Sequence, residues 1–257
     1  MTPSLIVKNL VLSIFAQLPL NANSSERERL QNGCEENLKA IGKAIAAYRA
    51  DHDGNMPDWL SDLYPKYLSD PELLLCPADK ERGNPIYKAL TDPKMPCSYL
   101  YEFSPIKYSF TTWDFDRHPQ KEYTYKELRT KQLRYFGNII PVVRCWHHKR
   151  TLVDKLSLDL CYGGKVYISS DDWECSAEAV EAIFLFFQRA IEENSDSWER
   201  AFSFQKIATY FRTCNRLPEF QSLLEKASNL SPDALRTLVE IYKSEGRAIR
   251  RLRDVSN

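Results

Sequence analysis

Residues Cys34–Asp79 read CEENLKAIGKAIAAYRADHDGNMPDWLSDLYPKYLSDPELLLCPAD, and this stretch decides the fold. Cys34, Leu38, Ile41, Ile45 and Tyr48 recur at intervals of four and three, which is one stripe of an amphipathic helix starting at Cys34. Alanines at 40, 44, 46 and 47 favour that helix, and small residues around Gly42 let a sheet approach it closely. Gly54 suits the left-handed position past its end, and Pro57 stops it. Asp70-Pro71 starts a second short helical turn. Leu73-Leu74-Leu75 then reads as a short buried strand ending at Cys76-Pro77.

Downstream, residues 79–96 are polar and rich in proline, and predict a loop. Strands are expected at Cys97–Tyr101 and Ile139–Cys145, the latter with Pro141 at an edge or at its start. Residues 102–137 show no clear period, with a short helix expected over Thr124–Leu133. Leu156–Tyr162 alternates with period two, Gly163-Gly164 turns, and Lys165–Ser169 returns as a hairpin. After Ser176 glycine nearly vanishes, and four helices are expected near 177–193, 197–213, 218–229 and 233–245, with Ser176, Asp196 and Ser231 as N-caps. Phe184, Phe186 and Phe187 read as helix core. Spacings in the last three helices match a tetratricopeptide-like hairpin repeat loosely, and generic antiparallel helices fit as well.

The 257 residues carry 35 basic and 35 acidic side chains. That balance argues against a nucleic-acid-binding surface. Only 8 glycines are present and no phosphate-binding glycine loop occurs. Lys8, the largely apolar Leu10–Leu20 and Asn21-Ala22-Asn23 read as a secretory signal cleaved near Ala22, a short N-terminal helix being the alternative. Residues 1–22 are then a signal peptide, the chain is periplasmic or secreted, and no stretch is long enough for a stable transmembrane span.

Cys34-Glu-Glu-Asn-Leu38-Lys-Ala-Ile41-Gly42, Tyr48, Gly54-Asn-Met-Pro57, Leu63–Pro71, Leu75-Cys-Pro-Ala-Asp79, Ser98-Tyr99 and the ending around His147-His148 and Tyr162–Tyr167 follow one another in a familiar order. Over roughly residues 34–174 they resemble the soluble domain of type II secretion pseudopilin-like proteins of bacteria. The resemblance implies an α+β fold, a pilin-like helix laid across a small antiparallel sheet, and a structural role without catalytic residues. The expected organisation is a pseudopilin-like α+β domain over 30–174 and an all-α helical-hairpin domain over 176–250. The expected function is a non-enzymatic, exported structural or protein-interaction role at the cell envelope, with a protein partner on the C-terminal helices.

Export would pair most of the 7 cysteines. Cys76 with Cys97 and Cys145 with Cys161 are the candidate disulfides, each closing a loop worth about 3 kcal/mol in the chain-entropy model. Cys34 would reach Cys175 or Cys161, and Cys214 would stay free. Cys145, His147, His148 and Cys161 are the right ligand types for zinc or for a thiol–imidazole enzyme, the alternative function. Adjacent histidines point apart on a strand, however, and no CxxC or HxxxH spacing occurs, so no metal, cofactor or catalytic residue is expected. The acidic groups Asp51/Asp53, Asp62 and Asp171/Asp172 read as caps and turns rather than a calcium site.

Overall fold

In a computed structural model the described residues are 24–83, 91–107, 115, 122–148, 156–170, 172–192 and 204–227. The expected signal peptide, Asp171, the caps Asp196 and Ser231 and the helix at 233–245 lie outside them. The fold is α+β: five helices and a four-stranded antiparallel sheet occur among the described residues. No helix there is long and apolar enough to cross a membrane.

Helix α1 spans Ser24–Asp51 and buries Cys34, Leu38, Ile41, Ala44 and Ile45, the stripe legible in the sequence. It begins ten residues before the expected start at Cys34, because the polar turns ahead of the stripe are themselves helix-compatible. An ion pair from Arg29 to Glu26 bridges one of those turns. Gly33 does not break the helix; a Cβ there would meet Pro77 Cγ at 3.2 Å, so the bare backbone lets the Cys76-Pro77 turn close in. The helix ends with Gly54 at φ +81°, its N–H on the Arg49 carbonyl.

The run 73–75 is not a strand. Pro71–Leu74 forms a 3-10 turn, capped by the Asp70 side chain, which accepts from the Glu72 N–H. Local capping with Pro at the first position outweighs the strand propensity of three leucines. Strand β1 is correspondingly short, Leu100–Tyr101, since the Ser98 N–H is already donated to the Leu74 carbonyl. Helix α2, Tyr125–Phe136, follows the Thr124/Glu127 capping box. Strands β2 (Pro141–Cys145), β3 (Leu156–Cys161) and β4 (Val166–Ser170) complete a meander in the order β1-β2-β3-β4.

Period-two alternation gives this sheet two different faces. Val143, Cys145, Leu158 and Leu160 share the face under α1, where a Cβ on Gly42 would lie 3.0 Å from Leu160 Cδ1. Arg144 and Asp159, paired across β2 and β3, occupy the other face. There Arg144 Nε lies 3.2 Å from Asp159 Oδ1 and Nη1 3.6 Å from Glu102 Oε1. Arg129 of α2 donates to the same Glu102 carboxylate at 2.9 Å and reaches Glu174 at 3.3 Å. All these groups but Glu174 are buried.

Helices α3 (Ala177–Glu192), α4 (Phe204–Thr213) and α5 (Leu217–Ala227) follow. Ser176 caps α3 through the Ala179 N–H. Aromatic packing joins them to the rest: Phe115 meets Phe187 and Tyr210 edge-on at 5.7 and 5.4 Å, and Phe136 meets Tyr210 edge-on at 6.2 Å. Phe187 is buried and Phe186 packs on Tyr135.

Candidate metal centre

The cysteines are distributed differently from the expected pairing. Cys175 and Cys214 form a disulfide, so Cys214 is not free and Cys34 does not pair with Cys175. Cys34, Cys76, Cys97, Cys145 and Cys161 are thiols, and all five are buried. The register excludes a Cys145–Cys161 bond: Cys145 stands opposite Leu158, while Cys161 stands opposite Pro141 at the far end of the strand pair. Cys97 turns its thiol to the Tyr99 carbonyl at 3.7 Å, away from Cys76.

Cys34, Cys76, Cys145 and His148 instead converge, with their ligand atoms all within 4.8 Å of one another. Three parts of the fold deliver them. Cys34 comes from the buried stripe of α1 and Cys76 from the turn after the 3-10 segment. Cys145 ends β2, and His148 sits in the turn three residues on. The Cys76 sulfur lies 3.2 Å from His148 Nε2. Of the four residues expected as metal-ligand types, Cys145 and His148 belong to this group and His147 and Cys161 do not. The two histidines point apart: His147 Nε2 is directed at Asp79, 3.8 Å from Oδ2. Cys34 and Cys76 join the group from distant parts of the chain with no local ligand spacing, whereas Cys145-x-x-His148 is a ligand spacing visible in the sequence.

The three neighbouring thiols are shifted in different directions. Hydrogen bonds from Cys145 and Cys34, against the cost of burial, hold the Cys76 thiol far below its ordinary range, and His148 adds to the effect. Burial, then the neighbouring sulfurs, pushes Cys145 well up. For Cys34 the pull of Cys145 is outweighed by Cys76 and burial, and its thiol is raised. Cys97, outside the group, is pushed up to about 12 by burial.

A surrounding shell positions these donors. The Ala78 N–H donates to Cys76 Sγ at 3.4 Å. Tyr99 Oη lies 3.8 Å from Cys34 Sγ and accepts from Asn37 Nδ2, which also donates to the Leu75 carbonyl. Asp79 organises the loop after Cys76 by accepting from the Glu81 and Gly83 N–H groups and from Ser98 Oγ at 2.7 Å. Burial works to raise the Asp79 carboxyl, but the Ser98 and Gly83 hydrogen bonds prevail and hold it low.

Gly83 is indispensable to that loop. Its φ is +99°, and a Cβ would lie 2.5 Å from Pro96 Cβ and 2.9 Å from Pro96 Cα. Gly83→Ala is therefore expected to cost about 2 kcal/mol or more, combining backbone strain with overpacking. Denaturant midpoints check this.

Elsewhere, two of the acidic residues expected in caps and turns, Asp51 and Asp62, have protein partners. Asp51 pairs with Lys66, and Asp62 pairs with Lys94 while accepting from the Trp59 N–H. A cleft beside Gly42, Arg49, Cys161 and Tyr162 is closed at one side by Arg49, whose guanidinium stacks 4.2 Å over the Tyr162 ring.

Comparison with known proteins finds no matching family model, no matching curated protein and no matching solved structure.

Proposed function

We propose that this chain is a metal-stapled α+β scaffold with a non-catalytic, structural or protein-interaction role. Cys34, Cys76, Cys145 and His148 hold one zinc-class divalent cation that ties α1 to the sheet. The observation that carries this reading is the convergence of four soft ligand atoms within 4.8 Å. A tetrahedral zinc with bonds of about 2.3 Å to sulfur and about 2.0 Å to nitrogen places its ligand atoms roughly 3.5–3.8 Å apart. Small movements of the donors reach that spacing, the wider pairs closing and Cys76 and His148, 3.2 Å apart, separating slightly. Four protein donors make a closed site, the arrangement used for structure, and thiolates with imidazole select zinc over magnesium or calcium. In line with the pseudopilin-like resemblance, the role falls at the bacterial cell envelope after export, with the C-terminal helices facing a protein partner.

A thiol-enzyme reading has one specific observation in its favour, the Cys76–His148 approach at 3.2 Å. Metal analysis with thiol counting separates the two. The scaffold reading expects one zinc per chain and no cluster thiol that reacts with iodoacetamide in the native state. All five thiols should react once the protein is denatured with chelator. Rapid native alkylation of Cys76 in a zinc-free chain would instead support the enzyme.

A further inference from the structure

Cys97 and Cys161 stand outside the cysteine–histidine group, whereas Cys34, Cys76 and Cys145 bring three sulfurs within 4.8 Å of one another. Three sulfurs this close can leave the free-thiol state in two mutually exclusive ways. They bind one cation as thiolates, or two of them close a disulfide, which needs a sulfur–sulfur distance of about 2.05 Å. The members differ in mobility and access. Cys34 is fixed on α1 and Cys145 on β2, while Cys76 sits on a turn. His148 is the one member of the group that is not buried, and its Nε2 lies 3.2 Å from Cys76. A small solute approaching past His148 therefore meets the Cys76 sulfur first.

Resting on the metal-centre reading, we propose that the site is redox-responsive: a peroxide-class oxidant converts Cys76 and one neighbouring cysteine to a disulfide and expels the cation. The Cys76 thiolate attacks the peroxide, the O–O bond breaks, a sulfenic acid forms and hydroxide leaves. The thiolate of Cys34 or Cys145 then attacks that sulfur. The S–S bond forms, the S–O bond breaks and the oxygen departs as hydroxide. Two sulfurs lose two electrons in all, and one hydrogen peroxide with two protons becomes two waters. The cation keeps one sulfur and one imidazole, too few donors to hold it against solvent.

The test treats the full zinc-loaded chain with hydrogen peroxide beside a chromogenic zinc chelator. The expected result is loss of all bound zinc together with two thiols and two hydrogens of mass. Peptide mapping should place Cys76 in a new disulfide, and a thiol reductant with zinc should restore the starting state. A Cys97→Ser/Cys161→Ser chain should release zinc at the same rate; mapping of the parent chain decides the matter if that variant does not fold. Zinc retained through peroxide treatment, or released with sulfinic acid and no Cys76 disulfide, would overturn the redox proposal while leaving the metal centre standing. A chain that takes up no zinc before peroxide is added overturns the metal centre, and this proposal with it.

Discussion

Stripping the chain of metal with a chelator should lower its thermal midpoint, and one equivalent of zinc should restore it. The four donors come from α1, the turn at 76 and the end of β2, segments that no local structure holds together. Their mutual position exists only in the folded chain, so metal affinity for the folded state becomes folding free energy. At free zinc about a thousandfold above the dissociation constant the gain is about 4 kcal/mol. Without metal, three sulfurs stay crowded in the core. Cys145→Ser should abolish the rescue by zinc, because a hydroxyl is a poor soft donor. Cys97→Ser should keep it, since Cys97 faces the Tyr99 carbonyl and not the cluster. Differential scanning calorimetry with and without zinc reads both variants; equal midpoints in the parent chain would count against a structural cation.

The second large effect falls on the opposite face of the sheet. Arg144→Ala should destabilise the protein by about 3–5 kcal/mol, the cost of leaving a buried charge without its partner. Arg144 touches Asp159, Glu102, Ser157 and the Ser170 carbonyl, and lies 4.4 Å over the Trp146 ring. Glu102 keeps Arg129 after the substitution, so the deficit concentrates on Asp159. Burial already raises the Asp159 carboxyl, against the pull of Arg144 and the Ser169 and Ser157 hydroxyls. Removing Arg144 raises it further. A carboxyl whose folded pKa exceeds its unfolded value favours folding at low pH and loses that advantage as pH rises through the folded value. The variant's deficit should therefore be smaller in acid and grow toward neutrality. Arg144→Met combined with Asp159→Leu should recover most of the loss, since an apolar pair replaces both charges. Urea denaturation of the three chains across pH measures this.

How much of this was legible in the sequence depends on how local each signal is. The stripe of α1, Gly54 past the helix end and the Gly163-Gly164 hairpin all depend on neighbouring residues and are legible in the sequence. Helix α2 was blurred because Arg129 and Gln132 sit on its buried face, so hydropathy shows no clean period there. Their burial makes sense only beside Glu102 and Glu174, which are distant in sequence. The cysteines failed for the same reason. Nearness along the chain favoured Cys76 with Cys97 and Cys145 with Cys161. The antiparallel register and the packing of α1 on the sheet instead brought Cys34, Cys76 and Cys145 to one point. The leucine run at 73–75 has strand-like hydropathy, but the Asp70-Pro71 cap prevails over it.

X-ray absorption at the zinc edge of the zinc-loaded full chain tests the central claim most directly. Three sulfurs at about 2.3 Å and one nitrogen at about 2.0 Å are the shell that Cys34, Cys76, Cys145 and His148 predict. A shell made only of nitrogen and oxygen, or a chain that holds no zinc, would contradict it.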